Sequence, residues 1–425
     1  MKKPLQCSQE ALFDKYTSIR NKTEWLCAPL QTEDFVIQTI EDVSPPKWHL
    51  GHTSWFFETF ILNRFDLKYK PYNEKYSFIF NSYYETVGSR VERPKRGLLN
   101  RPTVEEIYDY RKYVDKAVLN LIENFNGHYA NDFMSLIILG LNHEEQHQEL
   151  ILTDIKHIFA SNLFKPVYLP LKTDVQISDK TKAAKFIKYQ GGLINIGNEG
   201  HNFSFDNESP CHKVYINDFE VQNRLVTNGE FLDFINDSGY KDHRFWLSDG
   251  WDKICKENWT SPLYWEKYGN EWFIMTLSGL QKLVMSEPVC HVSYFEADAY
   301  AKWSGKRLPT EYEWEYVASS TNDISGNFMG NEMFHPLPST GKSKVNQLYG
   351  DAWEWTRSAY LPYPGYKQPK GAIGEYNGKF MSNQMVLRGG SCATPKNHIR
   401  STYRNFLQCD KRWQFSGFRL ANDLQ

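Results

Sequence analysis

Apolar positions along the chain follow two different rhythms. From residue 9 to about 160 they recur at spacings of three and four, in stretches such as "VDKAVLNLIENF" and "DFMSLIILGLNHEEQHQELILTDIKHIFA", with few glycines between. That spacing gathers the apolar side chains on one stripe of a helix, so an all-helical bundle is expected over residues 1–160. Residues 161–184, "SNLFKPVYLPLKTDVQISDKTKAA", hold two prolines and no sustained period and read as a connector. From "KFIKYQGGLINIG" onward the apolar runs shorten and turn dipeptides such as Gly-Asn, Asp-Gly and Gly-Gly become frequent. Residues 185–425 are therefore expected to form an α+β domain with much irregular structure.

Composition narrows the possible partners. The chain carries 49 basic and 51 acidic side chains and no extended basic run, which argues against nucleic acid, because phosphate recognition needs clustered Lys and Arg. No apolar segment follows the two N-terminal lysines, and no run of about 18 apolar residues occurs. A soluble, cytoplasmic protein without a membrane partner is expected, as a monomer or small homo-oligomer. Seven scattered cysteines (Cys7, Cys27, Cys211, Cys255, Cys290, Cys392 and Cys409), never in Cys-x-x-Cys spacing, read as reduced thiols. Aromatic content reaches 16%, with 13 tryptophans, which suits a ring-walled pocket as well as a core.

The motif that carries chemistry is "HEEQH", with His143, Glu144 and His147 in the His-Glu-x-x-His spacing of many zinc peptidases. On a helix the two histidines are about 40° apart in projection and one turn along, so both can reach one ion. A peptidase needs a third ligand, but Leu150 and Thr153 stand where the extended motif has glycine and histidine, and no acidic residue lies between Asp154 and Asp174. Glu149 is about 200° round the helix from His147, and Asp154 is about 10 Å along the axis, so neither completes a two-histidine-one-carboxylate site locally. A ligand from another helix is required. "SPPKWHLGHTSWFFETF", residues 44–60, opens with a proline-marked helix start and offers His49 and His52. Two histidine-bearing helices in one bundle make a three-histidine metal site the leading idea, since bundles build such sites from inward-facing side chains. Three neutral imidazoles leave the charge of a divalent iron uncompensated and positions open for anionic ligands such as a thiolate, although zinc also accepts three histidines. Nearby, "FNSYYETVGSRVERPKRGLLNRPT" supplies Arg93 and Arg96, which could clamp a carboxylate, and Tyr83 or Tyr84, which could deliver a proton.

Taken together, "WHLGHTSWFFE", "NSYYE", "RPKRGLLNRPT" and "NHEEQHQELILTDI" resemble the DinB-like helical domain of the sulfoxide synthases of ergothioneine biosynthesis. "FDNESPCHKVYINDFEVQNRLVTNGEF", "PVCHVSYFEADAYAKWSGKRLPTEYEWE", "LYGDAWEWT", "VLRGGSCATP" and "NFLQCDKRWQFSGFRLA" resemble the domain that follows it in those enzymes. The resemblance implies a DinB-like four-helix bundle over 1–160, then a C-type-lectin-like, formylglycine-generating-enzyme (sulfatase-modifying) α+β domain over 185–425. It further implies an iron(II)-dependent hercynylcysteine S-oxide synthase, joining a cysteine sulfur to imidazole C2 of hercynine with O2 as oxidant. One oxygen atom ends on sulfur and the other leaves as water. By position, the iron ligands are His52, His143 and His147. Gln146 faces the hercynine imidazole, Asn405 its amino-acid end, and Phe406 lies against its trimethylammonium. The tyrosine pair supplies the proton that favours carbon–sulfur bond formation over oxidation to sulfinate, with Arg93 and Arg96 at the carboxylate of the sulfur donor. Glu144 becomes a supporting or surface carboxylate.

Departures bear on the substrate. Leu407 follows the Asn-aromatic pair where relatives using γ-glutamylcysteine have an acidic residue, which favours free cysteine. γ-Glutamylcysteine and a selenoneine- or ovothiol-type synthase are the alternatives. A formylglycine generator needs two neighbouring cysteines, whereas Cys392 and Cys409 are 17 residues apart. A binding module leaves the histidines idle, and a zinc metallopeptidase lacks its third ligand.

Overall fold

The computed structural model describes residues 8–125, 130–172, 183–200, 202–321 and 324–424. The chain forms two compact units: Met1–Tyr168 with Gly200–Phe203 and Gln368–Tyr376, and Leu169–Glu199 with Ser204–Lys367 and Asn377–Gln425. Most of the stretch expected to be a connector, 173–182, lies outside the described residues, as does Cys7. Cys27, Cys211, Cys255 and Cys409 are free thiols.

The first unit is helical: α1 (Gln9–Cys27), α2 (Pro46–Phe57), α3 (Asn63–Phe65), α4 (Tyr76–Phe80), α5 (Val104–Asn124) and α6 (Ala130–Ser161). Local sequence sets the ends. Ser8 accepts from the backbone N–H of Ala11 at the start of α1, and Thr103 and Glu106 form a reciprocal capping box on α5. Proline at the first turn starts α2, where a missing N–H costs nothing. Every residue of α2 is buried, so this helix has no solvent face and packs against α1, α5 and α6. Such a helix must be apolar or satisfied all round, which explains why its histidines are held by partners. A π-helical turn, Glu58–Leu62, extends α2, and its Glu58 accepts from the hydroxyls of Tyr69 and Tyr110 at 2.6 and 2.7 Å. Two glycines allow close approach: a Cβ on Gly140 would stand 2.7 Å from the Phe57 ring, and one on Gly51 would stand 2.3 Å from Phe80.

The second unit is α+β. Its four-stranded sheet pairs Trp353–Ala359 with Met385–Arg388 antiparallel and with Ser416–Gly417 in parallel, and Asn405–Leu407 lies outside Met385–Arg388. A three-stranded sheet carries Phe219–Gln222 between Phe186–Tyr189 and Ala421–Asp423. Buried ion pairs tie the framework: Arg388 and Arg404 share Glu311, at 3.0 and 2.8 Å, and Arg388 also reaches Glu315 at 2.8 Å.

Candidate metal centre

Helices α2 and α6 bring three histidines to one point. One ring nitrogen from each of His52, His143 and His147 lies within 4.8 Å of the others, and all three side chains are buried. The Nε2 atoms of His52 and His143 are 3.2 Å apart. Two nitrogens in adjacent positions on an octahedral ion, with bonds of about 2.1 Å, stand about 3.0 Å apart. Burial lowers the pKa of all three, driving His143 to about 3, which favours the neutral ring, the form in which an imidazole ligates a metal. Three neutral imidazoles with one ring nitrogen each within 4.8 Å of the others form a donor set that fits a metal. His52 is fixed further: its Nδ1 bonds the carbonyl of Phe80 at 2.6 Å, which leaves Nε2 for the centre. Trp48 stacks on His52 at 4.6 Å between ring centroids, and the Arg96 guanidinium lies 3.4 Å from the centroid of the Trp48 ring.

His49, left open as a rival to His52, has another position. Its Nδ1 lies 2.8 Å from His147 Nδ1, and its Nε2 lies 3.0 Å from Asp154 Oδ2. Asp154 itself, about two turns beyond His147 on α6, also accepts the backbone N–H of Ser44 at 2.8 Å.

Glu144 is neither exposed nor available as a base. It is fully buried; its oxygens accept from Arg111 at 2.5 Å, Thr23 at 2.6 Å and Arg20 at 2.9 Å. Burial alone raises its pKa, but Arg111 and Arg20 more than offset this and hold it at about 2. Of the two expectations, a supporting or a surface carboxylate, the surface one is corrected: the residue is buried and anchors α6 to α1 and α5. A water-activating base of the peptidase kind must be able to take a proton, which this ion pair prevents.

The two arginines expected to act as a pair differ. Arg93 is exposed and donates to the carbonyl of Asp42, whereas Arg96 is buried and donates to Ser44 Oγ at 2.9 Å. Arg96 Nε is buried without a hydrogen-bond partner, and burial together with the charge of Arg93 pulls its pKa well below the guanidinium range. A carboxylate beside it would satisfy both.

Tyr83 and Tyr84 stack at 4.6 Å with hydroxyls 3.5 Å apart. Tyr84 is fully buried against Trp55 and Phe60. The sequence reading missed Tyr376. Its hydroxyl donates to Gln146 Oε1, its ring lies 5.7 Å from His143, and it meets Tyr83 edge-on at 6.5 Å. The neighbouring Glu375 accepts the backbone N–H groups of Glu85 and Thr86, at 2.9 and 3.0 Å, which fixes this segment in the helical unit. No spacing pattern in the sequence marks it. Asn405 and Phe406 lie in the second unit, where Phe406 stacks on Tyr360 at 4.0 Å.

Residues 172–424 match the sulfatase-modifying factor enzyme 1-like domain family, and residues 15–151 match the DinB superfamily. Hercynine oxygenase of Mycobacterium tuberculosis is 36% identical over 244 residues, covering 52% of this chain and 56% of that one. Hercynine oxygenase of Mycolicibacterium smegmatis is 32% identical over 316 residues, covering 67% and 71%. Ergothioneine biosynthesis protein 1 of Schizosaccharomyces pombe is 30% identical over 233 residues, covering 52% and 28%. The match thus spans about half the length of the first of these relatives and over two thirds of the second. Among the described residues, no helix is long and apolar enough to cross a membrane.

Proposed function

Because the chain belongs to the hercynine oxygenase family, with the DinB and sulfatase-modifying-factor domains in order, we propose that it is an oxidoreductase of ergothioneine biosynthesis. It couples the sulfur of cysteine to imidazole C2 of hercynine in an O2-dependent reaction giving hercynylcysteine sulfoxide. The observation that carries this reading is the buried triad His52, His143 and His147, with one ring nitrogen of each within 4.8 Å of the others. Iron(II), held by these three residues, supplies the redox chemistry by which O2 oxidises the thiol and the imidazole carbon. The thiol, the imidazole C–H and O2 give the sulfoxide and one water, so no further reductant is needed.

The chain's own residues do the rest. Arg96, buried and short of an anion, holds the carboxylate of cysteine, with Arg93 at the rim. Gln146, Asn405 and Phe406 are assigned to hercynine on the strength of the family resemblance, Phe406 through its ring face towards the trimethylammonium. Tyr84 or Tyr83 donates the proton, and the geometry adds Tyr376, whose ring is 5.7 Å from that of His143. Burial raises the pKa of Tyr84, which keeps its proton in place until it is needed. Free cysteine is favoured over γ-glutamylcysteine by Leu407. Cytoplasmic localisation accords with these small soluble substrates.

The test is an anaerobic iron-loaded assay of the purified chain with hercynine and either thiol, started with O2 and read by mass spectrometry. A sulfoxide-linked product from cysteine is expected. Thiol consumption without a carbon–sulfur product, or peptide cleavage with zinc, would overturn the proposal.

A further inference from the structure

The third histidine is gripped from behind by a second imidazole and a carboxylate. His147 Nδ1 is 2.8 Å from His49 Nδ1, and His49 Nε2 is 3.0 Å from Asp154 Oδ2. His49, His147 and Asp154 are at most 8% exposed, so water does not compete for these bonds and a misplaced proton in the chain is costly. The proton positions then follow from the two ends. A carboxylate only accepts, so His49 presents its Nε2–H to Asp154 and has a lone pair at Nδ1. His147 must donate its Nδ1–H to that lone pair, which leaves His147 Nε2 bare and able to bind a metal.

Metal-bound histidines commonly donate their second N–H to a carboxylate or carbonyl, which fixes the tautomer and raises the basicity of the ligand. His52 uses the Phe80 carbonyl in this way. For His147 the carboxylate acts through an intervening ring. The periodicity explains why: Asp154 is about 10 Å along α6 from His147, too far for direct contact, and His49 on α2 spans the gap. The far end is anchored as well, since Asp154 Oδ2 also accepts the Ser44 N–H at 2.8 Å, and Ser44 Oγ accepts from Arg96 at 2.9 Å.

We propose that Asp154 and His49 form a buried carboxylate–imidazole relay that sets His147 in its metal-binding tautomer and strengthens its donation. Both are positioning residues of the centre, an inference that rests on the metal reading above. Neutralising the carboxylate weakens the push through His49 and favours the reduced over the oxidised metal.

The experiment compares full-length wild type with Asp154→Asn, His49→Phe, the double variant and His143→Ala. Fe(II) affinity is measured anaerobically, and the Fe(III)/Fe(II) midpoint potential by spectroelectrochemistry. Asp154→Asn keeps an oxygen for both donors, so it tests charge with little demand on folding. It is expected to weaken Fe(II) binding about 10- to 100-fold and to move the potential upwards. In the His49→Phe background the same change is expected to have no further effect on either quantity, because its path is cut. Wild-type affinity and potential in Asp154→Asn, or an equal loss with and without His49, overturns the relay. If His49→Phe does not fold, the potential of Asp154→Asn alone decides, since a purely structural role would leave it unmoved. Fe(II) binding indifferent to His143→Ala sinks the metal centre itself, an outcome distinct from failure of the relay.

Discussion

Glu144→Gln separates a structural carboxylate from a catalytic one. The substitution keeps the shape but removes the charge that two buried guanidiniums face, Arg20 at 2.9 Å and Arg111 at 2.5 Å. Breaking a buried ion pair from one side costs about 3–5 kcal/mol. Arg20 retains Asp115 at 2.6 Å and Arg111 retains Glu24 at 3.1 Å, so the loss belongs at the lower end, about 3 kcal/mol. Linkage gives the same order. The carboxyl sits at about 2 in the fold against about 4.3 unfolded, and each unit is worth about 1.4 kcal/mol. The assay is urea unfolding of the metal-free protein followed by the helical signal. With a slope of about 1–3 kcal/mol per molar urea, the midpoint falls by about 1–3 M. The sign with pH is fixed: a carboxyl held below its unfolded value stabilises fully above about pH 4.3, and that contribution is lost as pH falls towards 2. Wild type and variant therefore converge through that window. Equal midpoints at pH 7, or a gap that does not narrow in acid, would refute the assignment of Glu144 as an anchor.

Three further outcomes are expected. His52→Ala, His143→Ala and His147→Ala each abolish iron retention, measured by elemental analysis, and product formation, with helical circular dichroism retained. Gly51→Ala drives a Cβ into Phe80, 2.3 Å away, costing about 1–3 kcal/mol by overpacking. It also displaces the carbonyl that holds His52, so thermal stability and Fe(II) affinity fall together; loss of neither counts against that support. Tyr84→Phe keeps iron bound and diverts cysteine to sulfinate, quantified by mass spectrometry, and unchanged partitioning there and in the Tyr83→Phe and Tyr376→Phe variants removes tyrosine as the proton donor.

The parts of this molecule legible in the sequence are those written in local spacing. The three-and-four rhythm gives the helical unit, and His143 and His147 share a face because they are one turn apart on α6. The same geometry removes Asp154 as a direct ligand. Elsewhere the information is non-local. Choosing between His49 and His52 required the family resemblance, because both lie on a helix buried on every side. Whether Glu144 was a supporting or a surface carboxylate stayed open because its arginines lie 124 and 33 residues away. Tyr376 is 230 residues from Gln146, and no periodicity spans such a separation. The role of Asp154 was hidden for a related reason: it acts through a ring on another helix.

The return of Gln368–Tyr376 to the helical unit has a consequence for biosynthesis. All three histidines, with His49 and Asp154, lie in the segment that ends at Tyr168. Tyr376 leaves the ribosome 208 residues later, about 10–40 s at ordinary elongation rates. The nascent chain thus holds all three histidines of the triad well before the tyrosine that bonds Gln146 exists. A fragment truncated at Tyr168 is a frozen picture of that interval, equipped with the histidines and lacking the Tyr376 hydroxyl beside them.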